Sequence, residues 1–376
     1  MRRETNAPYV HQLPFFRGEL RLERRFRSLT GGNDLLFPSM LSLARRDWIG
    51  EADIWHFHNL HGHYISLPLL ARESRRRHIV LSPVDQFLST GYCPYTLGCA
   101  RQDNGCGSCP QLSLPYPGIS RDATAALLKI KKWSIAKSRF HILVHTDFLA
   151  RHYHSTFVNA RPISRLNYGV DTQIFRPMDR KLCASSLGLE PTSRFVVGIM
   201  HSNILEERKG FLSLLRLLAE LAERVPNKLE ILAVGHKSDQ VLKLQTRNLR
   251  FQTLPFLESQ EDLARALNLC DVLLYPTRAE NLSLTCLNAM SCGVCVISAD
   301  VGGQSEAIED GINGYLCGPT DSKCFVDRLA ELVRNPELHG RLSIAARRTV
   351  LERYDINTYI GKLILYYNRL LLGETA

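Results

Sequence analysis

Two short apolar runs, Asp271–Tyr275 and Val294–Ala299, stand on either side of a stretch with helical spacing. The runs do not alternate with polar residues, which suits strands of a parallel sheet covered on both faces. Between them, Ser283–Ser291 carries Leu284, Leu287 and Met290 at the spacing of one helix face. Thr277–Leu282 has no strong period and reads as a loop, Gly293 is placed to end the helix, and Gly302-Gly303 follows the second run. Strand, loop, helix and strand make one βαβ unit, and this requirement constrains the fold more than any other feature of the chain.

The loop and the helix start can carry chemistry. Asn281, Leu282 and Ser283 lead into a helix N-terminus whose free N–H groups suit a phosphate or carboxylate. Glu280 stands at its mouth and can accept hydrogen bonds from a polyol such as a sugar. Asn288, about two turns on, can reach a second polar group. Gly302 and Gly303 admit a close backbone approach, and Glu306 follows them.

The same alternation runs through most of the chain. Asp53–Leu60, His78–Ser82, His141–His145, Phe195–Met200, Leu229–Val234 and Leu249–Leu254 read as strands. Tyr64–Ser74, Leu212–Ala222, Leu263–Leu269, Cys324–Arg334, Pro336–Arg353 and Tyr354–Leu372 read as helices. This pattern predicts an α/β protein with doubly wound parallel sheets, and 376 residues are enough for two domains. Residues 1–50 are the least readable: Arg17–Arg27 is a basic, helical-looking run, Gly31–Asp34 a turn, and Met40–Trp48 a short helix.

Net charge is +10, and residues 1–150 hold 20 Lys+Arg against 12 Asp+Glu, so +8 of it lies there. That asymmetry points to an anionic partner for the first half, with a membrane surface preferred over nucleic acid and a merely solvated face as the alternative. Asp122–Phe140, with Trp133 among Lys129, Lys131, Lys132, Lys137 and Arg139, suits a membrane interface. Read instead as a surface helix, it packs Leu127, Leu128, Ile130 and Ile135 inward. Without a signal-peptide core or an apolar run of transmembrane length, the expected location is cytoplasmic, or peripheral on the inner face of the membrane.

Eleven cysteines in such a chain argue for thiols over a disulfide scaffold. Cys93, Cys99, Cys106 and Cys109 fall within 17 residues, and the last pair has the spacing that lets two thiolates share a tetrahedral ion. They are candidate ligands of a structural zinc, with free or redox-paired thiols as the alternative. Four Cys would close the coordination shell, so no metal is expected in catalysis. His56, His58, His61 and His63 also cluster, but they read better as a strand end than as a metal site.

The stretch Glu280–Glu306 resembles the donor-site signature of family 4 glycosyltransferases, which have the GT-B fold. Glu280, Ala289, Met290, Gly293, Gly302, Gly303 and Glu306 match in register, while Asn288 stands where the family has a second acid. Asn can still bond a hydroxyl, without the strength of a charge-assisted bond. The resemblance covers roughly residues 52–370. It extends to Tyr168-Gly169-Val170-Asp171 with Phe175 and Pro177 at the hinge, to the Cys-rich loop of a family subgroup, and to Asp85, Phe87, Thr90 and Gly91. It implies two Rossmann-like domains facing across a cleft. These are an acceptor-side domain at 1–178 without the usual first βα unit, a donor domain at 179–355, and a crossover helix at 356–376.

The resemblance also implies transfer of a hexose from a nucleotide sugar, with retention, to a glycan or lipid-linked acceptor, as in cell-surface polysaccharide synthesis. Glu280 would hold the sugar, Lys209 and Arg208 the diphosphate, and Asn288 the ribose; Asp85 would face the cleft from the first domain. The base expected directly after the Phe195–Met200 strand is not matched, since His201 and Ser202 stand there. Val84 replaces a His near the reacting carbon and can neither move a proton nor donate a hydrogen bond. Val84 and Asn288 together favour the alternative, a non-catalytic relative that binds donor or a partner glycosyltransferase. An epimerase would need an N-terminal glycine-rich fingerprint, which the chain lacks.

Overall fold

The computed structural model describes residues 18–32, 35, 37, 39–40, 47–61, 64–112, 121–157, 162–224, 229–245 and 249–374. Most of the Met40–Trp48 reading, the end of the Gly31–Asp34 turn and His63 lie outside them. The chain forms two compact units. Unit 1 comprises residues 1–143, 152–164 and 370–376; unit 2 comprises 144–151 and 165–369. The chain thus first passes to unit 2 at Val144, ahead of the expected boundary near residue 178, and helix Ile356–Leu371 belongs to unit 2 as far as Arg369.

Unit 1 is built on a four-stranded sheet in the order β1 (Ile54–His58), β2 (His78–Ser82), β3 (Phe140–Val144), β4 (Ile163–Arg165). β1 pairs with β2 and β2 with β3 in parallel. Helix α1 (Glu19–Thr30) corresponds to the basic run, α2 (Leu67–Glu73) follows β1, and α3 (Thr124–Lys137) precedes β3. The two faces of α3 differ. Leu127, Leu128 and Ile135 are buried, while Trp133 is 55% exposed beside exposed Lys129, Lys132 and Lys137. Lys131 turns inward instead. Its ammonium donates to the carbonyls of Phe87 (2.6 Å) and Thr90 (3.0 Å) and lies over the Phe87 ring.

Unit 2 has a six-stranded sheet in the order β10-β9-β8-β5-β6-β7. The strands are β5 (Phe195–Asn203), β6 (Leu229–His236), β7 (Leu249–Leu254), β8 (Val272–Tyr275), β9 (Cys295–Ala299) and β10 (Tyr315–Cys317), and each neighbouring pair is parallel. Side chains alternate between two cores, as a pleated strand requires. Val196, Met200, Leu273 and Tyr275 enter one core, and Val197, Ile199, Val272 and Leu274 the other. Helices on both faces explain why these strands read as unbroken apolar runs. From β5 the chain winds outward to β6 and β7, then returns to β8 on the other side of β5. In an open α/β sheet this reversal leaves a crevice at the carboxyl ends of β5 and β8, the general location of ligand sites.

The expectation of thiols holds for the nine cysteines that are free, while Cys317 and Cys324 form a disulfide. It ties the end of β10 to the first turn of the helix Ser322–Arg334. β4 and β10 were not read from the sequence, because three residues are too few to show a period.

Candidate active site

The site in unit 2 gathers at the carboxyl ends of β5 and β8. After β8 the loop Pro276–Leu282 leads to Ser283, which caps helix α5 (Leu284–Ser291) through Oγ and the Cys286 N–H (3.3 Å). The helix stops where the sequence predicts: Gly293 adopts φ +76°, beyond the reach of most side chains. Before the second half of the site, the turn Glu207–Lys209 ends in Gly210 at φ +73°. A Cβ at Gly210 would stand 2.0 Å from the Pro276 carbonyl, so glycine lets this turn close onto the end of β8.

That close approach delivers Lys209 to Glu280. The ammonium lies 3.1 Å from Glu280 Oε2 and 3.2 Å from the Tyr275 hydroxyl, which itself donates to Glu280 Oε2 at 2.9 Å. The Lys209 and Glu280 side chains are 10% and 13% exposed, so the pair is nearly out of water. Burial pushes the Glu280 carboxyl up, but Lys209, Arg208 and the hydrogen bonds from Tyr275 and Lys209 outweigh it, and the group sits below the usual 4.5. Glu280 is therefore an anion at neutral pH. Burial first, and then the Glu280 carboxylate, lift Tyr275 well above 10, so it remains a neutral donor.

The remaining expected residues divide. Arg208 is engaged by the loop itself, donating to the Ala279 carbonyl (2.8 Å) and pairing with Glu206 (2.8 Å). Leu282 is buried in the core, and the Ser283 N–H is taken by Gln304 Oε1 at 3.0 Å. Gln304 is fully buried and also donates to Ser298, pinning the helix start from β9; nothing in the sequence pattern singled it out. Asn281 is buried between the hydroxyls of Thr146 (2.6 Å) and Tyr168 (3.2 Å). The Glu306 carboxylate accepts from the N–H groups of Asp147 and Phe148, both at 2.8 Å, and pairs with Arg165. It thereby caps helix α4 (Asp147–Thr156). Asn288 is half-buried on α5, about two turns below Glu280.

Gly302 and Gly303 were read as openings for a ligand. A Cβ at Gly302 would lie 1.9 Å from the Glu280 carbonyl, and one at Gly303 2.8 Å from Thr146. What approaches these glycines is the loop that carries Glu280 and the segment before α4.

In unit 1, Asp85 is buried. One of its oxygens accepts from the Phe87 N–H (2.9 Å) and the other lies 2.5 Å from His61 Nδ1. Cys93, Cys99, Cys106 and Cys109 are free and half-buried and line one cavity of about 20 Å³, with the Gly91 N–H donating to Cys106 Sγ. Burial pushes the Cys93 thiol up to about 11. Among the described residues no three His, Cys, Asp or Glu side chains are gathered closely enough to hold an ion.

Residues 196–349 match the family model described as Glycosyl transferases group 1. The chain is 26% identical over 201 residues to N-acetyl-alpha-D-glucosaminyl L-malate synthase of Bacillus anthracis, covering 53% of this chain and 52% of the relative. It is 31% identical over 217 residues to D-inositol 3-phosphate glycosyltransferase of Saccharomonospora viridis, covering 54% of this chain and 49% of the relative. The chain thus spans about half the length of the curated relatives it matches. Among solved structures, sucrose-phosphate synthase of Thermosynechococcus elongatus aligns with a TM-score of 0.66 at 16% identity, over 90% of this chain and 80% of that one. HepE of Anabaena in complex with UDP aligns at 0.63 and 17% identity, over 89% and 82%. Residues 196–349 thus carry the domain of the glycosyl transferases group 1 family, and the two parallel-sheet α/β units have the GT-B fold.

Proposed function

We propose that this chain is a retaining hexosyltransferase. It would move a sugar from a nucleotide-sugar donor, held on unit 2, to a glycan or lipid-linked acceptor in cell-surface polysaccharide synthesis. The observation that carries this reading is the buried Lys209–Glu280–Tyr275 cluster at the carboxyl ends of β5 and β8. The diphosphate gains negative charge as the bond from the sugar's anomeric carbon to its oxygen breaks. A preplaced ammonium stabilises that charge without a metal. In the free protein Glu280 is the counter-ion of Lys209. A bound diphosphate takes over part of that role and leaves Glu280 oxygens available to the sugar hydroxyls. The acceptor oxygen bonds the anomeric carbon on the face the phosphate leaves, and its proton goes to the departing phosphate oxygen, so no protein base is assigned. The HepE structures, by their titles complexes with UDP, with UDP and glucose, and with UDP-glucose, support a nucleotide-sugar donor for this fold.

Binding and slow hydrolysis of UDP-, GDP-, ADP- and dTDP-sugars test the reading, with wild type beside Glu280→Ala. Hydrolysis of one donor, lost in the variant, is expected; no binding of any donor sinks it. Val84 and Asn288 carry the second reading, a donor-binding relative that does not transfer. Binding without turnover, converted to turnover by Val84→His with Asn288→Glu, would establish that one instead.

The exposed Trp133, flanked by Lys129, Lys132 and Lys137, supports a cytoplasmic protein held peripherally on anionic lipid. No helix among the described residues is long and apolar enough to cross a membrane. Sedimentation with vesicles containing phosphatidylglycerol checks this, the expected result being binding that Trp133→Ala weakens.

A further inference from the structure

In unit 1, β1, β2 and β3 run parallel, so their amino ends share one edge of the sheet. Asp85 and His61 follow the opposite, carboxyl ends of β2 and β1. At the amino edge lies a cavity of about 650 Å³, a size that suits a small molecule. Its lining includes the residue directly before each of the three strands: Asp53 before β1, Arg77 before β2 and Arg139 before β3.

Four guanidiniums line this cavity. Arg75 and Arg76 stand exposed in the turn after α2, and Arg139 is exposed after α3. The Arg139 N–H donates to the buried Ser74 hydroxyl at 2.8 Å, which ties the α2 turn to the start of β3 from 65 residues away. That bond is what gathers the arginines at one edge. Arg77 is ordered in place: its guanidinium lies 4.3 Å over the Trp55 ring, and Nη1 donates to the carbonyls of Ile49 (3.4 Å) and Gly50 (3.2 Å). Glu51 and Asp53 also line the cavity, yet among the described residues neither forms an ion pair with any of the four.

Helix ends explain part of this charge. The C-termini of α2 and α3, at about half a negative charge each, favour cations nearby. Together they account for one guanidinium. Four guanidiniums against two carboxylates still leave positive charge in excess. A phosphomonoester carries about −1.5 to −2 charges at neutral pH and three strong acceptor oxygens. Planar guanidinium forks bind such oxygens in pairs, which a lysine cluster would not do. A longer polyphosphate would bring its further charge against Glu51 and Asp53.

We propose that this cavity binds a phosphomonoester, carried by a soluble phosphate ester or by a lipid headgroup. The site lies in unit 1, at the end of the sheet away from Asp85. It is separate from the donor reading for unit 2, and either can fail without the other.

Calorimetric titration of inorganic phosphate and of glycerol 3-phosphate tests it, in wild type and in two double variants. Arg75→Gln with Arg139→Gln takes two guanidiniums from the cavity. It is expected to weaken both probes at least roughly tenfold, the effect of one lost hydrogen bond to a charged group. Arg21→Gln with Arg25→Gln makes the same change of charge on the exposed face of α1 and is expected to leave both affinities unchanged. All four side chains are exposed, so Tm should stay at the wild-type level. Sedimentation with phosphatidylcholine vesicles carrying either phosphatidic acid or phosphatidylglycerol identifies the carrier, because only phosphatidic acid presents a phosphomonoester. A preference for phosphatidic acid that Arg75→Gln with Arg139→Gln abolishes supports the site and assigns it to lipid. Binding of the soluble probes without that preference supports the site and assigns it to a soluble ester. Equal losses in the two double variants overturn the proposal, since diffuse charge then suffices. Binding of neither soluble probe, with no preference between the vesicles, overturns it as well. If Arg75→Gln with Arg139→Gln does not fold, Arg75→Gln with Arg76→Gln takes its place, and unchanged affinity there overturns the site.

Discussion

One sequence motif runs from Glu280 to Glu306, and its two ends do different work. At the first end, Glu280 is nearly out of water against the Lys209 ammonium and the Tyr275 phenol, beside an imidazole nitrogen that has no hydrogen-bond partner among the described residues. At the second end the polar groups are spent on the fold. Glu306 caps α4, Asn281 bridges Thr146 and Tyr168, and Gly302 and Gly303 close around the loop that holds Glu280. The end proposed to take a ligand keeps one buried polar atom without a partner among the described residues, at a cost in stability, and the other end does not. Buried satisfaction therefore separates roles that residue identity within a motif does not.

Lys209→Met should break this comparison hardest. It leaves Glu280 buried without its cation, which for a buried pair costs about 3–5 kcal/mol, and it removes the ammonium proposed to stabilise the leaving diphosphate, worth about a hundred- to a thousandfold in rate. Urea unfolding and donor hydrolysis measure the two. The pH dependence follows from the same pair. Glu280 sits below 4.5 in the folded protein, so the stability it contributes is present above 4.5 and is lost as pH falls through the lowered value. In Lys209→Met burial is less opposed and the carboxyl rises, so the acid limb of activity and of stability should move to higher pH. If neither limb moves, the ion pair is not what sets the state of Glu280.

Gly302→Ala comes next. It forces a Cβ to 1.9 Å from the Glu280 carbonyl at φ +64°, so it should cost more than about 1 kcal/mol and displace Glu280 as well. Loss of stability with full donor affinity would show that the loop tolerates the shift and that the glycine does not position Glu280. Glu306→Ala is expected to have the smallest effect. It removes a helix cap worth about 1 kcal/mol and should leave donor affinity at the wild-type level. A donor affinity that falls as far as in Glu280→Ala would put both ends of the motif in the site and end the distinction. In unit 1, metal analysis of protein purified without chelator decides the Cys loop. One zinc per chain, lost in Cys106→Ser with Cys109→Ser, is what the spacing predicts; four titratable thiols and no metal is what the geometry as it stands predicts.

The order of strands and helices was legible because each core strand is an apolar run and each packed helix carries its own stripe, and both are local patterns. Glu280 and the helix-stopping Gly293 were legible for the same reason, each lying at a recognisable offset from a strand or helix end, while Lys209 was legible only through the family resemblance. The three-residue β4 and β10, and the Cys317–Cys324 link, left no pattern to read.

By itself the sequence determined that this is a parallel α/β chain with a polar loop between β8 and α5, and which residue types that loop offers. Only the tertiary structure decided their partners. Lys209 meets Glu280 71 residues away, Asn281 meets Thr146 at a separation of 135, and Glu306 reaches Asp147 at 159. The packing of His201 between Gly235 and Tyr275 is likewise absent from the sequence pattern. The physical reason is that backbone propensity acts over a few residues, whereas burial, ion pairing and hydrogen-bond satisfaction depend on which distant segments the sheet order brings to one place.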